Sequence, residues 1–173
     1  PALTPPSGPL LVQQKTATAA DGSAGVTATF DTPVTAGNGV IAFISWVNTV
    51  AGIESVVFEG GGEGTPSLEA DSQGTGIAVQ IYSGIPTSGP GGETGVTVSL
   101  DLAARASITI IEVSGLQGGS ASEANNNSAL ASTTVTTNSV TPTTPANLVV
   151  AIGGWTANNY SSGPTDSFTR LTP

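Results

Sequence analysis

The stretch NGVIAFISW, residues 38–46, is apolar at odd and at even positions and ends in Trp. Side chains of an extended strand alternate between its two faces, so this pattern predicts a long strand that is apolar on both. A near copy, NLVVAIGGW, occupies residues 147–155, and its Trp is the second of the two in the chain. Each copy follows a β-branched run and a Pro turn. The echo therefore predicts two matching core strands in two halves of one β-structure; convergence on the same strand and turn chemistry is the alternative.

Short β-branched runs continue along the rest of the chain, separated by Gly, Pro, Ser and Thr as hairpins and loops require. The predicted strands are 11–19, 25–31, 40–48, 53–59, 77–84, 94–102, 106–115, 132–140, 147–157 and 166–172, with a short one at 67–70. No amphipathic helical pattern extends beyond about two turns. The sequence predicts an all-β, antiparallel β-sandwich, and the length favours a jelly-roll-like arrangement. Because the last strand ends abruptly at Pro173, either a further strand is missing or a partner covers an open edge.

The N-terminal residues are rich in proline and are predicted to form an extended arm, residues 1–10, ahead of a single sandwich domain, residues 11–173. A frayed terminus is the simpler interpretation, and an arm that lies on a neighbouring subunit is the alternative. In the second case the interface contains Pro5, Pro6, Pro9, Leu10 and Leu11. The start of the chain lacks the charged segment and long apolar core of a signal peptide.

Charge and composition exclude several classes of function. Only 9% of the residues are charged, the net charge is −9, and the basic residues are Lys15, Arg105 and Arg170. Nucleic acid and anionic membrane surfaces would be repelled, because both need clustered Lys and Arg. No apolar run approaches the ~20 residues of a transmembrane helix. The chain has no Cys and no His, so disulfides, Ser-His-Asp triads and His- or Cys-ligated zinc are excluded, and we predict no cofactor.

The two Trp residues are candidates either for the core or for a sugar-binding platform. Trp46 is in phase with Val40 and Ile44, and Trp155 is in phase with Val149. Apolar neighbours on the same face favour burial of both rings in the core. Stacking on a glycan and packing at a partner interface are the alternatives, and the aromatic content of 5% is low for a glycan-binding groove.

A Gly-rich acidic loop follows the fourth predicted strand and is a candidate calcium site. Its carboxylates and those next to it are Glu54, Glu59, Glu63, Glu69 and Asp71. Calcium loops place oxygen ligands at close, regular spacing, and no Asp-x-Asp-x-Asp-Gly pattern occurs here. We therefore predict a solvated acidic loop and no metal site.

Glu112 interrupts the apolar run of the 106–115 strand and is in phase with Ile108 and Ile110, so its carboxylate is expected to point inward. Burial would raise its pKa and suit a general acid, but that chemistry needs a second carboxylate, and none can be assigned. A carboxylate bonded to backbone amides, to Arg105 or to Arg170 is the expected structural role. No catalytic residue is predicted.

Several segments together resemble a β-sandwich domain of tailed-phage virion proteins and of some bacterial surface proteins. They are VTATFDTPVTAGNGVIAFISW, IAVQIYSGIP, TVSLDLAARASITIIEVSGL, NLVVAIGGW and SFTRL, and they span most of residues 25–171. Proteins of this kind decorate capsids or project from particle surfaces, and the matching motifs contain no catalytic residue. The Gly-rich acidic loop departs from the short turn usual there.

The resemblance implies a non-enzymatic structural protein at the virion surface, in particular a capsid decoration or cement protein. Its expected partners are a major capsid protein or copies of itself in a homo-oligomer. A carbohydrate-binding or adhesin module with a glycan partner, located at the cell surface, is the first alternative. A subunit of an extracellular filament, whose arm completes the next subunit, is the second.

Overall fold

The computed structural model describes residues 8–47, 50–60, 66–74, 76–85, 92, 94–116, 148, 150 and 152. Eight strands run through these ranges: β1 (Leu10–Ala19), β2 (Gly25–Thr29), β3 (Gly39–Val47), β4 (Ile53–Glu59), β5 (Ser67–Gly74), β6 (Ile77–Gly84), β7 (Gly95–Leu100) and β8 (Arg105–Ser114). The described ranges contain no helix, so none that could cross a membrane is found in them. The predicted all-β class is confirmed.

Two antiparallel sheets form a sandwich, as predicted. One sheet has five strands in the order β1-β8-β3-β6-β5, and the other has three in the order β2-β7-β4. Their inner faces share one apolar cluster, in which Val96 and Val98 of the smaller sheet pack with Ile44, Ile108 and Ile110 of the larger one. All five side chains are fully buried. The jelly-roll description stays a prediction, since most of the chain after residue 116 lies outside the described ranges.

The outer face of the five-stranded sheet is also buried at one end. Its second apolar cluster consists of Ile41, Phe43, Ile81, Ile111 and Val113, with Ala70, Leu116, Val150 and Ile152 packed against it. The strand β3 contributes side chains to both clusters, which explains why its sequence is apolar at odd and even positions. Residues from the C-terminal third of the chain thus lie on the outside of this sheet.

The chain reaches that outer face directly after β8. Gly115 has a φ of 75°, a left-handed conformation that glycine adopts without a steric penalty. The next residue, Leu116, packs over Gly39 so closely that a Cβ on that glycine would lie 2.5 Å from the Leu116 Cδ1 atom. The turn and the missing side chain together allow Leu116 to join the outer cluster.

The strand bounds agree with the sequence prediction to within two residues, except around the acidic region. There β5 extends to Gly74, whereas the predicted short strand ended at residue 70, so Asp71 lies on a strand and not in the loop. The predicted strands 132–140 and 166–172 lie outside the described residues, as do residues 1–7 of the arm. The described residues of the second NLVVAIGGW copy have no strand assignment.

Candidate functional site

Glu112 lies near the end of β8 and has no solvent exposure. It stands between Gln13 of β1 on one side and Val40 of β3 on the other. Because it is in phase with Ile108 and Ile110, which belong to the inner cluster, its side chain points into the sandwich. The carboxylate is therefore a buried group that needs hydrogen-bond donors.

Donors from three residues surround this carboxylate, and all of them are neutral. Its Oε1 accepts a hydrogen bond from the Thr35 backbone N–H at 2.9 Å and one from the Asn38 Nδ2 at 2.5 Å. Its Oε2 accepts one from the Gln13 Nε2 at 2.6 Å. The same Gln13 nitrogen also donates to the Thr32 carbonyl, at 2.9 Å. Glu112 thus joins the start of β1, the β2–β3 connection and the end of β8.

The surroundings of Glu112 favour the charged carboxylate. Burial alone would raise its pKa, but the hydrogen bonds from Asn38, Thr35 and Gln13 outweigh burial and hold the pKa below the ordinary value of a glutamate. A general acid at neutral pH needs a raised pKa and a reachable proton, so this geometry suits a structural anion. The expected backbone amide donor is present at Thr35, and the side-chain amides of Asn38 and Gln13, which were not predicted, act beside it.

Neither of the two basic residues in the described ranges neutralises this anion. Arg105 is exposed at the opposite end of β8, where it pairs with Val47 in the register. Lys15 forms an ion pair with Asp31 at 2.9 Å. Arg170 lies outside the described residues. Within the part of the chain that the structure describes, the charge of Glu112 is thus balanced by oriented amide dipoles.

One of these donors, Asn38, is the first residue of the NGVIAFISW motif. In the structure Gly37 takes the left-handed conformation, with a φ of 86°, and Asn38 closes the turn by donating its backbone N–H to the Thr35 carbonyl. The Asn38 side chain is then free to bind Glu112. Gln13 gave no signal, because a Gln on an edge strand is ordinarily solvated.

The first Trp is a core residue. Trp46 is 1% exposed, and its indole N–H donates to the Ala51 carbonyl at 2.8 Å. A ring in this position has no face available to a sugar, which removes it from the glycan-platform alternative. The predicted core position of Trp155 lies outside the described residues.

The acidic residues do not gather into a metal site within the described ranges. No group of three or more carboxylates that could hold a metal ion occurs there. Glu69 accepts a hydrogen bond from the Ser83 hydroxyl at 2.6 Å, and burial together with the nearby Asp71 raises the pKa of Tyr82. Glu63 lies outside the described residues.

The outer edge of β1 is the second candidate site. Among the described strands β1 has one neighbour, β8, and its first three residues are exposed apolar ones: Leu10 (59%), Leu11 (51%) and Val12 (49%). Of the predicted interface residues, Leu10 and Leu11 are thus accessible, Pro9 is half-buried, and Pro5 and Pro6 lie outside the described residues. Leu10 belongs to the strand, whereas the arm was predicted to include it.

Comparison of the chain with protein-family models, with curated proteins and with solved structures finds no match.

Proposed function

We propose that this chain is a non-enzymatic structural protein of a particle surface, namely a phage capsid decoration or cement protein that binds the shell through its arm and the edge of its sandwich. The observation that carries the proposal is the exposed apolar start of β1, which directly follows the Pro-rich arm. Three consecutive half-exposed apolar residues on an edge strand provide both apolar surface and backbone groups for a partner.

The remaining features of the described residues fit a scaffold that supports a contact surface. Glu112, for which a role as general acid was the alternative, accepts hydrogen bonds from Gln13, Thr35 and Asn38. These bonds also connect three segments of the chain. The outer face of the three-stranded sheet carries small hydroxyl residues, with Thr27 and Thr97 hydrogen-bonded across strands at 2.7 Å. Consecutive strands alternate between the sheets from β1 to β4, which supports a jelly-roll winding.

The test is to isolate the native protein and to sediment it through a density gradient. We expect it to migrate with intact particles at a constant ratio to the shell protein. A variant that lacks residues 1–10, and separately Leu11→Glu, should be lost from the particle fraction while keeping the far-UV circular dichroism of the sandwich. Leu68→Glu is the matched control, because Leu68 is exposed to the same extent on β5, at the other edge of the same sheet. Sedimentation away from every particle would refute the proposal.

The glycan-binding alternative now depends on residues other than Trp46. A glycan array read with the intact protein separates the two functions, since a decoration protein should bind no soluble glycan. The filament alternative predicts that the protein sediments as long assemblies without any shell protein, and that deletion of residues 1–10 abolishes them.

A further inference from the structure

Among the described strands, the two sheets have four outer edges, and these differ in how well they are protected against further strand pairing. Natural sheets protect edges with charged residues, with short strands and with bulges. The edge strand β5 carries Glu69 and Asp71, β4 carries Glu54 and Glu59, and the third edge strand, β2, is five residues long. Charge on β4 and β5 and the short length of β2 therefore protect these three edges against pairing with a further strand.

The fourth edge, β1, lacks most of this protection. It is ten residues long and has no acidic residue, although the chain as a whole carries a net charge of −9. Its single charge, Lys15, is already paired with Asp31. Its one irregularity is a bulge between Leu11 and Gln13, and this bulge leaves the Val12 side chain half exposed.

We propose that the outer edge of β1 pairs antiparallel with β1 of a second copy of this chain, so that two five-stranded sheets join into one continuous sheet across a two-fold axis. Antiparallel pairing of a strand with its own copy is self-complementary and closes as a dimer. The charge distribution favours a second copy as the partner. Two copies of an acidic protein repel each other, and this repulsion is weakest where the contacting strands carry no acidic residue, as β1 does in both copies.

The apolar residues select the register. Leu10, Leu11 and Val12 form the apolar end of a strand whose remainder, from Gln13 onward, is polar or small. A two-fold axis near Leu11 places the three apolar residues of one copy opposite those of the other, so the two β1 strands overlap over residues 10–12. Pairing over the whole strand would instead set these residues against Ala17, Thr18 and Ala19. Burial of the half-exposed Leu and Val side chains favours the first register.

This inference rests on the edge named in the proposed function: it assigns that edge to a second copy, which leaves the arm to contact the shell, and it can hold without any particle. The chain has no Cys, so single cysteines report cleanly on proximity. Residues directly opposite each other on antiparallel strands have Cα atoms about 4.5–5.5 Å apart, within the range of a disulfide. Leu11→Cys should therefore cross-link into a dimer under mild oxidation, and Leu68→Cys should not.

The second measurement is sedimentation equilibrium of the purified full chain at micromolar concentration. The wild type and Leu68→Glu should sediment at twice the 16.9 kDa chain mass, and Leu11→Glu should weaken dimerisation at least ten-fold with unchanged circular dichroism. A monomeric wild type overturns the inference, as does equal loss of dimer in the two Glu variants. If the monomer still binds particles and Leu11→Glu abolishes that binding, the proposed function stands without the dimer. A wild-type dimer that binds no particle would support the inference and contradict the proposed function.

Discussion

Replacing Glu112 by Gln tests whether the buried carboxylate stabilises the fold. The substitution keeps the size of the side chain and one acceptor oxygen. That oxygen can remain with Thr35 and Asn38, but the new NH2 group then faces the Gln13 Nε2, a donor against a donor. One hydrogen bond to a charged group is lost, worth about 1.5–3 kcal/mol, and the other two become neutral and weaker.

Relief of the buried charge opposes these losses, since desolvation of a carboxylate costs several kcal/mol. The lowered pKa of Glu112 indicates that the hydrogen bonds outweigh the desolvation, because the folded state then prefers the charged form more than the unfolded chain does. We therefore expect Glu112→Gln to reduce the free energy of unfolding by about 2 kcal/mol at pH 7. Urea denaturation followed by circular dichroism measures this change.

The pH dependence provides an independent check on the same reasoning. A glutamate whose folded pKa is depressed contributes stability above its unfolded pKa of about 4.3, and that contribution is lost as the pH falls through the folded value. The difference in stability between the wild type and Glu112→Gln should thus be full at pH 7 and shrink below pH ~4. Glu69→Gln, which changes a carboxylate that accepts a hydrogen bond from Ser83, is the control. A Glu112→Gln protein as stable as the wild type at pH 7, with a constant difference down to pH 3, would refute the argument.

Three further substitutions test the packing. Trp46→Phe should cost about 2–4 kcal/mol, since it removes ring volume and leaves a buried carbonyl without its indole donor; a cost under ~1 kcal/mol in urea unfolding would contradict this. Ile111→Ala on the outer face should cost about 2–4 kcal/mol, like Ile110→Ala on the inner face, and a near-neutral Ile111→Ala would argue against an outer cover. Gly95→Ala should lower the melting temperature far more than the exposed Gly8→Ala, because its Cβ would lie 2.2 Å from a backbone oxygen of β2.

The sequence predicted the fold where periodicity is strong. Alternating runs such as residues 53–59 and 77–84 match β4 and β6 residue for residue, because one face of each strand must be apolar. The second half of β5, residues 71–74, was missed, since Asp and Gly are unfavourable in strands and only pairing with β6 holds these residues there. Periodicity also cannot say which layer covers a face, so the outer cluster around Ile111 was not foreseen.

The sequence located Glu112 but not its partners. An acidic residue in phase with Ile108 and Ile110 indicates inward placement, and burial then requires donors. Those donors come from Gln13 and from the β2–β3 connection, which are distant in sequence and brought near only by the pairing of β1 and β3 with β8. A single sequence carries no information on that pairing.

The order of strands in the five-stranded sheet has a consequence for synthesis on the ribosome. The central strand β3 pairs with β6 and β8, and β8 is also the neighbour of β1. The five-stranded sheet therefore cannot form completely until Ser114 has left the ribosome. The outer cluster then waits for Ile152, roughly forty residues later, or about 2–8 s at usual elongation rates. During that interval Ile41, Phe43 and Ile111 present bare apolar surface in the crowded cell. A nascent chain halted between these two points should therefore bind chaperones more strongly than a longer one.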